Sequence, residues 1–411
     1  MDSRYFQHTF ANGLTLLAEY MPAVQSAAMT LLIPAGASSD PAQHLGSATV
    51  LADLVLRGAG DRDNKKLTDD LDRLGLQRAS GVGVHHSRFS CAAVASRVLE
   101  SFPIYADIIR RPHLPQTGFD SARDLALQAL AGVDDDPRQK LLIRLRERFL
   151  PDPLGRNPMG DAGQLKALTL DDVRGDHRAR YQAQECILAV AGNVDFAQLT
   201  EAVEKYFGNF PGSLPVAMEL KAKPPGAEHE KQESEQTHIG IAYPAVRETD
   251  PSYYTARAAV EILGGGASGR LFTEVRERRG LCYSVWAGYT SLKGAGAILA
   301  YAGSSNDRAQ AALDCMLEQI HRLHDGVTEE ELHRAKIGLK AATIMAGEST
   351  SSRAGSIAHD FFMRGRIRTL DEVKSEIDAV TLDGVNAFLK KHLPGPFTIV
   401  MVGPKRLKTP V

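Results

Sequence analysis

The sequence has few cysteines, almost no net charge and no long apolar run, and each absence excludes a class of protein. Its 411 residues include four cysteines without a C-x-x-C pair, which excludes a zinc finger or a secreted disulfide framework and suits a reducing compartment. The formal net charge of −2 gives no electrostatic reason to expect a nucleic acid or an anionic membrane as a partner. No apolar run approaches the length of a membrane span, and the first residues do not resemble a signal peptide. We therefore expect a cytoplasmic protein without nucleic-acid or membrane partners.

The composition is that of a folded protein large enough for more than one domain. Hydrophobic residues make up 43% of the chain and charged residues 24%, which is ordinary for a globular protein. At 411 residues the chain is long enough for two or three domains, each with its own core.

Two similar segments indicate that the chain consists of two related halves. The motif Thr-Leu-Asp begins a predicted helix at Thr169 and another at Thr381, 212 residues later. Each threonine is a suitable N-cap, an aspartate follows in the first turn, and each helix leads into an apolar strand. Such a duplication fixes the architecture as two homologous halves.

The boundary between the halves is predicted from a change in composition. Residues 221–236 are charged, contain proline and glycine, and lack helical or strand periodicity, as linkers do. Hydrophobic alternation resumes at Thr237. We predict domains over residues 1–212 and 237–411, joined by a linker over residues 213–236.

Each half is predicted to form an α/β-layered domain, in which a mixed sheet rich in antiparallel pairs is packed with helices. In the first half, strands are expected over 13–20 and 27–33, and helices over 46–57, 67–74, 97–110, 118–132 and 137–148. In the second half, helices are expected over 251–263, 269–279, 306–324, 328–347 and 370–379. Mixed strands with segregated helices predict an α+β fold instead of a doubly wound parallel sheet. Gly264, Gly265 and Gly266 follow a helical pattern and lack the spacing of a dinucleotide-binding turn, so a Rossmann fold is rejected.

Long motifs in both halves are similar to those of a known peptidase family. In the second half, residues 263–285 contain a Gly-rich turn followed by R-L-F-x-E-V-R-E-x-R-G-L-x-Y. In the first half, residues 45–58 read as a helix that ends at a glycine. Weaker matches occur at 134–137, 151–156 and 188–194. In this order the segments resemble, over nearly the whole chain, the M16 family of pitrilysin-like and mitochondrial-processing-peptidase-like zinc metallopeptidases. The resemblance implies that the chain folds as an M16 half clam-shell.

In the M16 family the helix of the first half carries the inverted zinc motif H-x-x-E-H, and this chain lacks that motif. Thr49 and Asp53 occupy the two histidine positions, and Ala52 occupies the position of the glutamate base. Counting the family's spacing from Asp53 places the distal glutamate ligand at Ala129 and a helper glutamate at Ala122. A zinc site needs three or four protein ligands, and Asp53 alone offers a carboxylate. We therefore expect no metal and no cofactor in this chain, and no peptidase activity from the isolated chain.

The resemblance also implies a substrate-binding role for Arg276 and Tyr283. Their spacing matches the family's Arg/Tyr pair, which lies across from the zinc, hydrogen-bonds the substrate backbone and steadies the oxyanion. A solvated, charged helix face is the alternative interpretation of this segment. Gly264, Gly265 and Gly266 are expected to form a flexible loop that contacts substrate, although a helix stop would explain one of them.

These features favour a non-catalytic subunit that completes a heterodimeric M16 zinc endopeptidase. Its partner would be an M16 chain that bears H-x-x-E-H and holds the zinc, and its substrate would be an unfolded peptide bound in extended form. The alternatives are a stand-alone peptide-binding pseudo-peptidase, which could be a homodimer, and a structural subunit like the core proteins of the respiratory bc1 complex. The Arg276/Tyr283 pair argues against the structural role, because scaffolding does not require it. A metal enzyme that uses Asp53 with unrelated ligands would instead contain stoichiometric zinc.

Overall fold

The computed structural model describes residues 4–213 and 218–410. The strands are β1 (Arg4–Thr9), β2 (Thr15–Tyr20), β3 (Ser26–Ile33), β4 (Gln77–Val82), β5 (Ser87–Val94), β6 (Ile187–Gly192), β7 (Gly226–Lys231), β8 (Gln236–Ala245), β9 (Ser284–Leu292), β10 (Ala295–Ser305) and β11 (Thr398–Gly403). The α-helices before residue 213 are α1 (Ser47–Leu54), α2 (Asn64–Arg73), α3 (Ala95–Arg110), α4 (Gln116–Gly132), α5 (Pro137–Phe149), α6 (Ala162–Ala167), α7 (Leu170–Arg180) and α8 (Phe196–Phe207). Those after residue 218 are α9 (Tyr253–Gly264), α10 (Ala309–Arg322), α11 (Glu329–Gly347), α12 (Thr350–Arg364), α13 (Leu370–Asp378) and α14 (Leu382–Lys391). None of these helices is long and apolar enough to cross a membrane.

The chain forms two compact units, and neither is continuous in sequence. The first unit consists of the described parts of Met1–Ala131, Arg156–Leu220 and Ala346–Arg368. The second consists of the described parts of Gly132–Gly155, Lys221–Met345 and Thr369–Val411. Each unit therefore contains most of one half of the sequence and a segment of the other half. Helix α12 belongs to the first unit, and helix α5 belongs to the second.

The two units contain sheets of the same topology. The strand order is β1-β2-β6-β3-β5-β4 in the first sheet and β7-β11-β8-β10-β9 in the second. The β2–β6 and β7–β11 pairs are parallel, and all other pairs in these sheets are antiparallel. When β2 to β6 are matched in order with β7 to β11, the two sheets differ only by the additional strand β1. The predicted duplication and the predicted α+β fold with mixed, antiparallel-rich sheets are therefore confirmed.

The first sheet is covered on both faces, which explains why its central strands are apolar at consecutive positions. All six residues of β6 are buried. Leu188 faces the main core of the unit, which includes Phe102 of α3. Ala189 points to the opposite face and packs with Ile357 of α12.

A buried ion pair joins α12 to this sheet. Arg353 Nε lies 2.7 Å from Glu19 Oε2, and both side chains are almost completely shielded from solvent. The Tyr5 hydroxyl donates a hydrogen bond to the other oxygen of Glu19, at 3.2 Å. Removing either member of such a pair would leave the other charge buried without its partner, which strongly destabilises the folded protein.

Helix α5 covers the second sheet, and a glycine permits its close approach. A Cβ atom added to Gly240 of β8 would lie 3.0 Å from Leu145 Cδ2 and 3.2 Å from Leu141 Cδ2. Both leucines are fully buried in α5. A larger residue at position 240 would therefore push the helix away from the strand.

Part of the segment predicted as a linker, 213–236, forms a strand that its lack of periodicity did not indicate. Gly226–Lys231 form β7, an edge strand that pairs in parallel with β11. Apart from Gly226 and from Ala227, which packs against the core, its side chains are polar and no residue of the strand is fully buried, so backbone hydrogen bonds are the main contacts that place this strand. Residues 214–217 of the predicted linker lie outside the described residues.

Candidate functional site

Helix α1, which carries the motif positions, is held at its N-terminus by a buried network. Gly46 is the N-cap and offers no side chain, so Asp40 accepts hydrogen bonds from the backbone N–H groups of Gly46 and Ala48, at 2.8 and 3.0 Å. The guanidinium of Arg180 pairs with Asp40 at 2.7 Å. Burial raises the pKa of Asp40, and Arg180 opposes this effect. The helix is therefore firmly positioned even though it has lost the motif.

The three motif positions on α1 are occupied by side chains with structural partners. The Thr49 hydroxyl donates a hydrogen bond to the carbonyl oxygen of Pro158, at 2.5 Å. Ala52 is buried in the main core. Asp53 Oδ2 accepts a hydrogen bond from Nε of Arg57, which lies just beyond the end of α1, at 2.7 Å, so the carboxylate at the second histidine position already has a positively charged partner.

Helix α4 approaches α1 through small residues. A Cβ atom added to Gly118 would lie 3.1 Å from side-chain atoms of both Leu54 and Arg57. Ala122, one turn further along α4, is buried in the same core, whereas Ala129 is exposed. Spacings of four and eleven residues from Gly118 keep both alanines near the face of α4 that meets α1. Helical spacing thus puts the expected helper and distal positions on one side of α4, with a methyl group at each in place of a carboxylate.

The residues at these positions do not fit a zinc ion. Within residues 4–213 and 218–410, no group of three or more His, Cys, Asp or Glu side chains could hold a metal. Zinc requires three or four ligands at about 2 Å, and a carboxylate already paired with an arginine is a poor candidate for one of them. We therefore assign no metal chemistry to α1 and α4.

Arg276 lies in a π-helical segment, Phe272–Arg278. Its guanidinium carbon is 4.7 Å from the centre of the Phe272 ring, and the side chain is exposed. The segment ends in a turn at Gly280, whose φ of +59° is in the left-handed region. π-Helical turns are rare and often occur at functional sites.

Tyr283 follows this turn at the start of β9. Its backbone N–H donates to the carbonyl oxygen of Gly303 at 2.9 Å, while its side chain is 64% exposed. Among the described residues its hydroxyl has no hydrogen-bond partner, and no hydrogen bond joins it to Arg276. The hydroxyl is therefore accessible from solvent, where it can donate a hydrogen bond to another molecule.

The three glycines at the end of α9 differ from one another. A Cβ atom at Gly264 would lie 2.2 Å from the backbone nitrogen of Ala287, so this glycine lets α9 touch β9. Gly266 has a φ of +126° and open space around it, whereas Gly265 faces only the side chain of Glu261. Close packing therefore explains Gly264, and an unusual backbone conformation explains Gly266.

Alanine substitutions should separate these roles. We expect Gly264→Ala to lower the free energy of unfolding by about 1–3 kcal/mol, because its methyl group overlaps a strand backbone. Gly266→Ala should cost a similar ~1–3 kcal/mol through backbone strain alone. Gly265→Ala, the matched control, should change stability by less than about 0.5 kcal/mol, because the flexible end of Glu261 can move. Chemical denaturation measures the free energy of unfolding of all three variants. A loss in Gly265→Ala as large as the losses in the other two would contradict this explanation.

The sequence did not predict the position of β4. This strand is an edge of the first sheet, pairs only with β5, and is exposed along almost its whole length. Helix α1 packs beside it. Its sequence, Q-R-A-S-G-V, has no apolar alternation, so no periodic signal marks it as a strand.

Two family models match consecutive parts of the chain. Residues 15–161 match the model described as insulinase (peptidase family M16), and residues 167–339 match the one described as peptidase M16 inactive domain. The chain belongs to the M16 peptidase family. The second matched range begins two residues before the Thr-Leu-Asp helix start at Thr169, and the two ranges follow the order that the sequence motifs predict.

Relatives of this M16 chain match it over nearly its full length. A protein of Mycobacterium tuberculosis named as an uncharacterized zinc protease is 28% identical over 410 residues, which cover 96% of this chain and 92% of the relative. One of the same description from Bacillus subtilis is 23% identical, with coverages of 97% and 98%. The mitochondrial-processing peptidase subunit beta of Saccharomyces cerevisiae is 25% identical, with coverages of 95% and 89%.

Solved structures confirm the two-halved M16 fold. A crystal structure described as peptidase M16 inactive domain from Pseudomonas fluorescens matches with a TM-score of 0.90 and 21% identity, covering 99% of this chain and all of that chain. A protease from Helicobacter pylori matches with a TM-score of 0.89 and 18% identity, covering 98% of this chain and all of that chain. The protein is thus peptidase-like in family and fold, but the positions of its inverted zinc motif hold Thr49, Ala52 and Asp53.

Proposed function

We propose that this chain is the non-catalytic subunit of a heterodimeric M16 zinc endopeptidase, where it binds extended peptide and contributes Arg276 and Tyr283 to the partner's site. We base this proposal on a difference between the two units in which expected functional residues are present. In the first unit the motif positions hold an alanine, a hydrogen-bonded threonine and an ion-paired aspartate. In the second unit the expected substrate-binding pair is present and exposed.

The chemistry of the pair suits the stabilisation of negative charge on a substrate. A phenol hydroxyl and a guanidinium both donate hydrogen bonds. Among the described residues neither group has a hydrogen-bond partner that a substrate would have to displace. The contact of Arg276 with the Phe272 ring orients the guanidinium while it stays exposed. The partner chain would bring H-x-x-E-H and the zinc, so this chain's part is to bind and orient the peptide.

Strand addition is the expected mode of peptide binding. An edge strand carries unpaired backbone N–H and C=O groups, to which an extended peptide can add as a further strand. Strand β4 is such an edge, and it lies beside the helix that carries the motif positions. Its middle residues, Ala79, Ser80 and Gly81, are small and exposed, which leaves room for a peptide of varied sequence.

A stand-alone peptide-binding protein is the second candidate, because an exposed edge strand can bind peptide without any partner. A purely structural subunit, like a respiratory core protein, is disfavoured by the retained and exposed Arg276/Tyr283 pair. That one relative is named as a subunit of a processing peptidase supports assembly with a second chain.

Zinc content distinguishes the subunit from a metal enzyme. The chain should be purified alone and together with an H-x-x-E-H chain from the same genome, and zinc should be measured after size-exclusion chromatography. We expect no stoichiometric zinc in the isolated chain and about one zinc per heterodimer. A partner variant with both motif histidines replaced by alanine is the control, and it should assemble without zinc. Stoichiometric zinc in this chain alone would contradict the proposal.

A further inference from the structure

A pocket of about 390 Å³ lies in the second unit, away from the Arg276/Tyr283 pair and the glycine turn. It is formed by the end of β8, α9, the end of α10, and α14 with the residues that follow it. Its wall is largely apolar and includes Val246, Val260, Ile298 and Leu389. Its volume is within the range of small-molecule sites, about 300–1,000 Å³.

One polar group in this wall is open to the pocket. Tyr243 is only 4% exposed, lines the pocket, and finds no hydrogen-bond partner for its hydroxyl among the described residues. Burial raises the pKa of Tyr243, so the hydroxyl remains protonated and can donate a hydrogen bond. The hydroxyl oxygen is not among the buried side-chain atoms that lack a partner, so it faces the pocket and can donate a hydrogen bond to water or to a ligand there.

The pocket is lined by basic side chains and by no acidic one. His324, Lys391 and His392 contribute to the lining, and none of its described residues is an aspartate or glutamate. The nearby Asp250 carboxylate is hydrogen-bonded to the backbone N–H and the hydroxyl of Ser252, at 2.8 and 2.5 Å. These bonds lower the pKa of Asp250, and the charges of His392 and Lys391 lower it further. Asp250 therefore keeps its negative charge and offsets part of the positive charge beside it, but it does not line the pocket, where the basic residues face the cavity.

We propose that this pocket binds a small carboxylic acid with an apolar or aromatic body. A carboxylate can accept a hydrogen bond from Tyr243 and pair with the basic residues, while the apolar wall covers the rest of the molecule. A neutral alcohol would lose the ion pairs, and an inorganic anion would leave the apolar wall uncovered. The site is independent of the proposed role in a peptidase.

Calorimetric titration of the full chain with 4-phenylbutyrate tests this proposal, with 4-phenylbutan-1-ol as the uncharged probe of the same shape. We expect the acid to bind at least tenfold more tightly than the alcohol. Tyr243→Phe should weaken binding of the acid about tenfold, because it removes a hydrogen bond to a charged group and keeps the ring. Lys391→Gln should weaken it about threefold, since an exposed charge contributes less. Lys390→Gln, which changes the adjacent exposed lysine outside the pocket, should have no effect.

Binding of the alcohol as tightly as the acid would overturn the proposal, as would no binding of the acid at millimolar concentration. Unchanged affinity in a folded Tyr243→Phe variant would also overturn it. If that variant does not fold, the comparison of Lys391→Gln with Lys390→Gln decides, because both lysines are exposed and tolerate substitution. Equal affinities in these two variants would then reject the site.

Discussion

Replacing Tyr283 with phenylalanine should lower the kcat of the reconstituted complex about 10²- to 10³-fold. The substitution removes only a hydroxyl group from an exposed ring, so neither folding nor assembly should change. The loss of one preorganised donor to an oxyanion typically has an effect of this size. KM should change little if the hydrogen bond forms mainly in the transition state. Steady-state kinetics on an unstructured peptide, with co-elution as the assembly test, measures both.

Arginine variants of the same π-helical segment provide matched controls. Arg276→Ala should also reduce kcat, whereas Arg276→Lys should retain part of it because a positive charge remains. Arg278→Ala should leave kcat unchanged, because Arg278 is exposed and forms an ion pair with Glu274 in the same helical segment. Full activity in both Tyr283→Phe and Arg276→Ala would rule out the assignment of this pair, and assembly loss would point to an interface role.

The largest effect on stability is expected from Arg353→Ala, which should lower the free energy of unfolding of the first unit by about 3–5 kcal/mol. Arg353 and Glu19 are almost fully buried with their atoms 2.7 Å apart, so the variant leaves a carboxylate without its partner inside the protein. The substitution also weakens the attachment of α12 to the first sheet. Urea denaturation, monitored by far-ultraviolet circular dichroism, measures the change.

Two controls identify the cause of that loss. The double variant Glu19→Leu with Arg353→Met should recover most of the stability, because no charge is then left buried. Arg97→Ala, which breaks an exposed pair with Glu100, should cost less than about 1 kcal/mol. If Arg353→Ala were as mild as Arg97→Ala, the buried pair would not hold α12 in place.

Much of the fold could be predicted because the repeat is visible in the sequence. The Thr-Leu-Asp starts at Thr169 and Thr381 form capped helices, α7 and α14, in both halves. The repeat also predicts β7, since β2 begins at Thr15 and β7 begins 211 residues later at Gly226. That strand was missed because an edge strand held by backbone hydrogen bonds needs no apolar alternation.

Helix α12 could not be predicted from local periodicity. Its sequence begins with threonine and two serines and contains a glycine, all weak helix formers. Its buried face packs on a sheet formed by residues more than 150 positions earlier in the chain, such as Ile187 and Ala189. Tertiary packing stabilises this helix, so its environment had to be seen in the structure.

For the candidate site, the sequence predicts which residues occupy the motif positions but not the contacts that they make. The sequence places Thr49, Ala52, Asp53, Ala122 and Ala129 at the motif positions, but not the pairing of Asp53 with Arg57 that occupies its carboxylate. Likewise the glycine run reads as one loop in sequence, whereas Gly264 serves helix-strand packing. The Tyr243 pocket has no sequence signal at all, because its wall combines five separate segments.

The most direct test of the central claim is peptidase activity on an unstructured peptide, measured for this chain alone, for an H-x-x-E-H chain of the same genome alone, and for their mixture. We expect activity that needs both chains and is abolished by a chelator. Chelator-sensitive hydrolysis by this chain alone would contradict it, because the residues of α1 and α4 would then hold a catalytic metal. Full activity of the H-x-x-E-H chain without this one would equally contradict a subunit role.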